Sequence, residues 1–553
     1  MPENRDLDVR PEANGRPPAT RQLDAVVIGA GFSGLFALYK LRDGLGLDVQ
    51  GFETADGVGG TWFWNRYPGA RCDSESFYYC FTFSDELAQE WEWSSRYPEQ
   101  PEIERYLNHV ADRFGLRRNI QFNTRVTRAE FDESSNRWDV YTEHGEHVRA
   151  RFLVAAVGCL SDANLPDIPG RDSFAGESYH TARWPREGVD FTGKHVGLIG
   201  TGSSGIQATP VIAAEARHLT VFQRTPNFTV PARNAPFKPE DQAAIKRDYP
   251  AIFARTRESN GGFPYFGIER RTVSVSPEER KQILDELWEE GGFKFVWGGF
   301  SDVTTDLQAN EIVSEYIRER IRKTVSDPET AELLCPYDHP YTSKRPPIDT
   351  DYYVTFNRDN VSLVDVRTSP IQEITPGGLR TADAQYDLDV LVYATGFDAM
   401  TGSLLRMDIR GSNGVRLADA WAHGPRTLLG LQVAGFPNLF TITGPGSPSV
   451  LINMPTAIEH HVNWITECIA HMRRNGNARI DATERAQDAW AEHVAEVAEY
   501  TLWSKSKGNS WYVGANIPGK PRIIMPYTGG QPLYRERCQA VVDAGYEGFE
   551  FSD

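Results

Sequence analysis

The sequence predicts an α/β chain in which two strand-turn-helix units are joined to a helical insertion. Two glycine-rich turns, each placed between an apolar run and a helical pattern, predict the units. A stretch with helical periodicity and no such turn, residues 232–340, predicts the insertion.

The first turn lies in "LDAVVIGAGFSGLFALYKL". Ala25 to Ile28 read as a buried strand, Gly29, Gly31 and Gly34 as the turn, and Leu35, Leu38 and Leu41 as the apolar face of a helix. In that order the glycines permit a tight turn, close backbone approach to a pyrophosphate, and helix packing. The helix start then offers free N–H groups to phosphate. Nineteen positions after Gly34, Glu53 ends the strand-like "LDVQGFE". A carboxylate there accepts ribose hydroxyls and repels a 2′-phosphate, so this turn is expected to hold FAD or NAD.

The pattern recurs in "KHVGLIGTGSSGIQATPVI" with Gly200, Gly202 and Gly205, and Arg224 follows at the spacing that Glu53 has in the first unit. A guanidinium grips phosphate bidentately, so the second turn is expected to select NADP(H) over NAD(H). Two Rossmann-like dinucleotide-binding domains of opposite selectivity imply hydride transfer from a nicotinamide to a flavin.

The remaining elements follow in order. Residues 1–22, rich in Pro, Arg and acids, are expected as a disordered tail. The FAD-binding domain takes 23–157 and resumes at 390–553, and the NADP-binding domain takes 158–231 and 341–389. In the insertion, "SPEERKQILDELWEEGG" has Ser276 and Glu279 at capping-box spacing, Pro277 at the first helical position, Ile283 and Leu287 on one face, and Gly291 as a stop. "NVSLVDV" and "DVLVYATGF" read as further strands.

At 553 residues the chain exceeds one core. With 58 basic and 76 acidic side chains, its formal charge of -18 argues against a nucleic-acid or anionic-membrane surface. No apolar run matches a signal peptide or a membrane span, so the expected location is cytoplasmic. The six cysteines show no metal-ligand or redox-pair spacing and read as reduced structural thiols. His460 and His461 cannot share a metal face on a helix and read as surface or packing residues; no metal is expected.

"GGTWFWNRYPGARCD" (59–73), the two glycine turns and "FAGESYHTARWP" together resemble the FAD- and NADPH-dependent Baeyer-Villiger monooxygenases. Phe174, Gly176, His180, Trp184 and Pro185 occupy every fixed position of that family's linker signature. The resemblance, which extends to phenylacetone, steroid and cyclohexanone monooxygenases, implies a flavoenzyme that uses NADPH and O2 to insert one oxygen atom next to a ketone carbonyl. It implies an anionic peroxyflavin, an ester or lactone product, and cyclic, aromatic or bulky ketones as substrates, with sulfoxidation as a side activity. A ketone and O2 are the only partners it implies.

The resemblance also implies residue roles. Arg345 matches the arginine that stabilises negative charge at the flavin, and Asp73 the carboxylate that positions it; by themselves they read as a surface arginine and a turn residue. Thr61, Trp62 and Tyr79 are expected along the flavin, Val126 at its adenine end, and Thr225 and Lys344 with Arg224 around the 2′-phosphate. Trp511 matches a tryptophan on a loop that closes over the nicotinamide, with interdomain packing as the alternative. Leu451 and Met454 match substrate-pocket positions, although Met454 equally suits core. His180, in the linker, is expected to couple the two domains rather than to act as a base.

Overall fold

The computed structural model describes residues 20–505 and 510–553. Most of the N-terminal tail and part of the loop before Trp511 therefore lie outside the described residues. Arg21 and Gln22, assigned to the tail from sequence, instead begin the strand Arg21–Ile28, where they pair with Val148 and Arg149.

The first sheet has eight strands. Arg21–Ile28 lies at its centre, parallel to Val49–Phe52 on one side and to His147–Ala155 on the other. The last of these is shared: its start pairs antiparallel with Arg137–Thr142, and its end pairs parallel with Leu439–Thr441. Burial of Ala25, Val26 and Val27 is complete, as a central parallel strand covered on both faces requires. The helix Phe32–Tyr39, whose Leu35 and Leu38 are also fully buried, packs against the long helix Met454–Asn475.

The second sheet is parallel throughout, in the order Val361–Asp365, His218–Gln223, His195–Ile199, Val390–Tyr393, Glu177–His180. One expectation changes here. Val390–Tyr393, expected to open the returning FAD-binding domain, lies inside this second sheet. Four consecutive buried residues suit a central strand, and His195–Ile199 supplies the open edge that it fills. Within the linker signature, Glu177–His180 forms an edge strand of this second sheet.

Between the sheets the chain crosses twice, and the two crossings zip together. Asn164 N–H donates to Gly396 O (2.9 Å), Asp398 N–H to Asp162 O (2.8 Å), and Met400 N–H to Cys159 O (2.9 Å).

Helices Pro239–Glu258, Pro277–Glu290, Phe293–Trp297, Leu307–Thr324 and Pro328–Leu334 occupy the stretch read as an insertion. Ser276 caps Pro277–Glu290 by accepting from Glu279 N–H, and Gly291, at φ +68°, ends it. The capping box is half made, because the Glu279 carboxylate pairs with Arg270 at 2.8 Å instead. The buried face is Leu284 and Leu287; Ile283 is only half-buried, since a 3.6-residue repeat places Leu284 closer to the core.

Candidate active site

Both glycine turns do the same steric work. Gly29 (φ +107°) and Gly200 (φ +112°) adopt a backbone closed to other residues, and a Cβ at either would press on the carbonyl oxygen of Ala156 (2.6 Å) or Ala394 (2.5 Å). A Cβ at Gly34 or Gly205 would strike the carbonyl oxygen of Gly29 or Gly200. Gly202 differs, because a Cβ there would meet no atom within 4 Å. The fold itself does not require glycine at this position.

Neither following helix start has a side-chain cap, so its first N–H groups are left for a ligand. Both turns open into one cavity of about 1140 Å³. Glu53 lies at one part of it, with Oε2 accepting from Ala30 N–H (2.7 Å) and Oε1 from Ala55 N–H (2.8 Å). Burial raises its pKa, and those backbone N–H groups oppose the rise. Arg224, Thr225 and Lys344 line the cavity on the second-sheet side. Burial depresses the Lys344 ammonium to about 8, with Asp338 opposing that shift and Arg224 and Arg367 adding to it.

Arg345 and Asp73 meet in this cavity, 272 residues apart in sequence. Arg345 Nε donates to Asp73 Oδ2 at 3.4 Å and Nη1 donates to Val450 O at 3.2 Å, while the guanidinium lies 4.8 Å from the Phe293 ring centre. Asp73 Oδ1 accepts from Gln207 Nε2 (3.3 Å) and from Ile348 N–H (3.4 Å). Burial raises the pKa of Asp73, and the Arg345 charge opposes it. For Arg345 burial is the largest single influence and works against the charge, yet Asp73, Tyr512 and Cys72 together outweigh it and the pKa is raised. The guanidinium is thus a permanent cation facing the cavity, its side chain 29% exposed against 7% for Asp73.

Thr61, Trp62, Tyr79, Val126, Met454 and Trp511 also line the cavity, and Trp62 Nε1 donates to Tyr79 OH at 3.2 Å. Leu451 does not. It faces a separate small cleft behind Arg345, lined by Phe263, Phe293, Trp297, Trp503 and Tyr512, while its neighbours Val450 and Ile452 face the main cavity. The short helical turn Ser449–Leu451 rotates successive side chains apart, which sequence spacing does not show.

Among the signature residues none of Phe174, Gly176, His180, Trp184 and Pro185 lines the cavity; Ala182 and Arg183 between them do. His180 Nδ1 accepts from Ala182 N–H (3.0 Å), which places its proton on Nε2, directed at Asn164 O and Thr395 Oγ1, each at 3.3 Å. Those two residues sit on the two crossings. Burial lowers the His180 pKa, which keeps it neutral.

Sequence reasoning missed Gln207, Tyr512 and the backbone partners of the central ion pair. Gln207 had one signal, an amide two residues after Gly205 in an otherwise apolar run. His461 is buried, and its Nδ1 accepts from Thr443 N–H (2.9 Å), so the packing alternative holds for it, while His460 beside it is half-buried. All six cysteines are buried and free, and Cys72 and Cys159, beside the cavity, are held as neutral thiols by burial, up to about 12 and about 11.

A family model described as flavin-binding monooxygenase-like matches residues 23–235. A protein of Pseudooceanicola batsensis named Baeyer-Villiger monooxygenase is 43% identical, over 95% of this chain and 95% of its own. The chain belongs to the Baeyer-Villiger monooxygenases. The solved structure of an oxidized steroid monooxygenase bound to NADP is similar at 50% identity and a TM-score of 0.91, over 96% of this chain and 99% of that one. A phenazine N-monooxygenase of Lysobacter antibioticus is 45% identical over 95% of this chain and 96% of its own, so the Baeyer-Villiger framework here also resembles a nitrogen oxidiser. FAD and NADP fit the cavity on its own terms: two uncapped helix starts, an open glycine at Gly202, a carboxylate at one turn and a cation cluster at the other.

Proposed function

We propose that this Baeyer-Villiger monooxygenase uses NADPH and O2 to convert cyclic, aromatic or otherwise bulky ketones to esters or lactones. The observation that carries this reading is the Arg345/Asp73 pair set in a cavity common to both glycine turns. Bound there, the flavin supplies two-electron redox chemistry and oxygen activation, with NADPH as hydride donor.

The residues of the chain supply the environment. Gly29, Gly31, Gly34 and Glu53 hold the flavin's nucleotide end, with Val126 at its adenine and Thr61, Trp62 and Tyr79 along its length. Gly200, Gly202, Gly205, Arg224, Thr225 and Lys344 hold NADPH, and Trp511 covers it. Arg345 keeps a fixed positive charge where negative charge develops, in the cavity common to both turns. Asp73 holds that guanidinium from behind. Met454 faces the substrate, and Leu451 shapes the cleft behind Arg345. A cytoplasmic location without a protein partner belongs to the same reading.

The test is a screen of cyclic and aromatic ketones with NADPH and O2, with products identified by mass spectrometry. Ester or lactone carrying one oxygen atom from O2 is expected. NADPH consumption that yields only hydrogen peroxide across the panel would overturn it. Sulfide or amine oxidation without any ester would favour heteroatom oxygenation, the reading that the phenazine N-monooxygenase likeness supports.

A further inference from the structure

The loop between Tyr67 and Asp73 belongs to the first unit, yet it rests on the helix Ser203–Glu215 that follows the second glycine turn. Gly69, at φ +79°, lies so close that a side chain there would strike the Gln207 carbonyl oxygen. The Gln207 side chain, 9% exposed, reaches back across the same contact. Its Oε1 accepts from Tyr67 OH (2.7 Å) and from Arg71 N–H (3.5 Å); its Nε2 donates to Arg71 O (3.2 Å) and to Asp73 Oδ1 (3.3 Å). Both ends of the amide are therefore used, and its orientation is fixed by the tyrosine hydroxyl on one side and the carboxylate on the other.

Asp73 has few restraints. Oδ2 faces Arg345, and Oδ1 is held by Gln207 and the Ile348 N–H at 3.3 and 3.4 Å, all long contacts. Loss of the amide donor leaves one long backbone bond to set the carboxylate plane, and with it the direction of the Arg345 guanidinium. Gln207 stands on the first two turns of the helix whose start faces the cavity at Gly202 and Ser203.

We infer that Gln207 is a positioning residue that couples the helix of the second glycine turn to the Asp73/Arg345 pair, so that nucleotide bound at that turn sets the arginine for oxygen transfer. The inference rests on the oxygenase reading above. It acts through Asp73, with no chemistry of its own.

Two substitutions separate positioning from packing. Gln207→Glu keeps the shape and still accepts from Tyr67 OH and Arg71 N–H, but it cannot donate to Asp73. Gln207→Leu keeps the volume and removes every polar contact. With flavin-loaded enzyme and a ketone that the wild type converts, both variants are expected to make ester about tenfold more slowly. Ester formed per NADPH should fall alongside, while KM for NADPH stays within about twofold of wild type. If Gln207→Leu does not retain flavin, Gln207→Glu decides alone. Wild-type coupling in Gln207→Glu would overturn the inference, because a residue that only packs Tyr67 would be satisfied by glutamate. Absence of ester from the wild type itself would instead sink the oxygenase reading.

Discussion

Arg345 Nε and Asp73 Oδ2 face each other at 3.4 Å across the seam between the two nucleotide units, with Val450 O holding the other side of the guanidinium at 3.2 Å. The pair is long enough to adjust when ligands enter, with the Asp73 carboxylate buried and the Arg345 guanidinium left partly open to the cavity. Arg345→Ala is expected to cut ester formation about a hundredfold or more while anaerobic flavin reduction by NADPH stays measurable, as stopped-flow absorbance would show. Retained ester formation would remove Arg345 from its role.

Acid should disable the same pair through Asp73. Burial raises its carboxyl pKa above the ordinary range, so protonation on lowering pH begins earlier than for an exposed aspartate. The neutral acid no longer holds the guanidinium. Ester formation per NADPH is expected to fall on the acid side, and Asp73→Asn should give a low, flat profile from the start.

Lys344 predicts an alkaline limb in cofactor binding. Its ammonium is depressed to about 8, chiefly by burial, so it is charged below that pH and neutral above it. A 2′-phosphate favours the charged form. KM for NADPH should be flat below about pH 8 and rise about tenfold per unit above it, until the raised pKa of the bound state is reached. Lys344→Met should raise KM at pH 7 and abolish the limb; an unchanged limb would exclude Lys344 from the phosphate site.

Arg224 predicts coenzyme choice. Replacing it with alanine should weaken NADPH binding about ten- to a hundredfold and leave NADH nearly unaffected, because on the proposed reading only the former has a phosphate for the guanidinium to grip. Equal losses for both coenzymes would argue for a structural role.

The glycines separate fold from binding. Gly34→Ala places a Cβ on the Gly29 carbonyl oxygen and should cost soluble flavin-loaded protein. Gly202→Ala, at a φ of -84° that other residues adopt, has open space for its methyl. It should change stability by no more than about 0.5 kcal/mol, while KM for NADPH rises.

His180→Ala should slow turnover while FAD content is retained, since its ring joins Asn164 and Thr395 on the two crossings and touches neither glycine turn. A wild-type rate would refute the coupling role.

The amino-acid order alone determined the local features of this protein. Strand, turn and helix at Gly29–Gly34 and Gly200–Gly205, the cap at Ser276 and the stop at Gly291 depend on neighbours a few residues away, and side-chain period and glycine sterics express such relations directly. The opposite charges of Glu53 and Arg224 belong to the same class, because each follows its own turn at a set spacing. Tertiary structure decided what depends on distant partners. It put Val390–Tyr393 into the second sheet, turned Leu451 away from the main cavity, and brought Gln207 against Asp73 from 134 residues away. The physical reason is that an edge to be filled, a half-turn of rotation and a hydrogen bond across a seam exist only once both partners are folded, and one-dimensional spacing carries no trace of them.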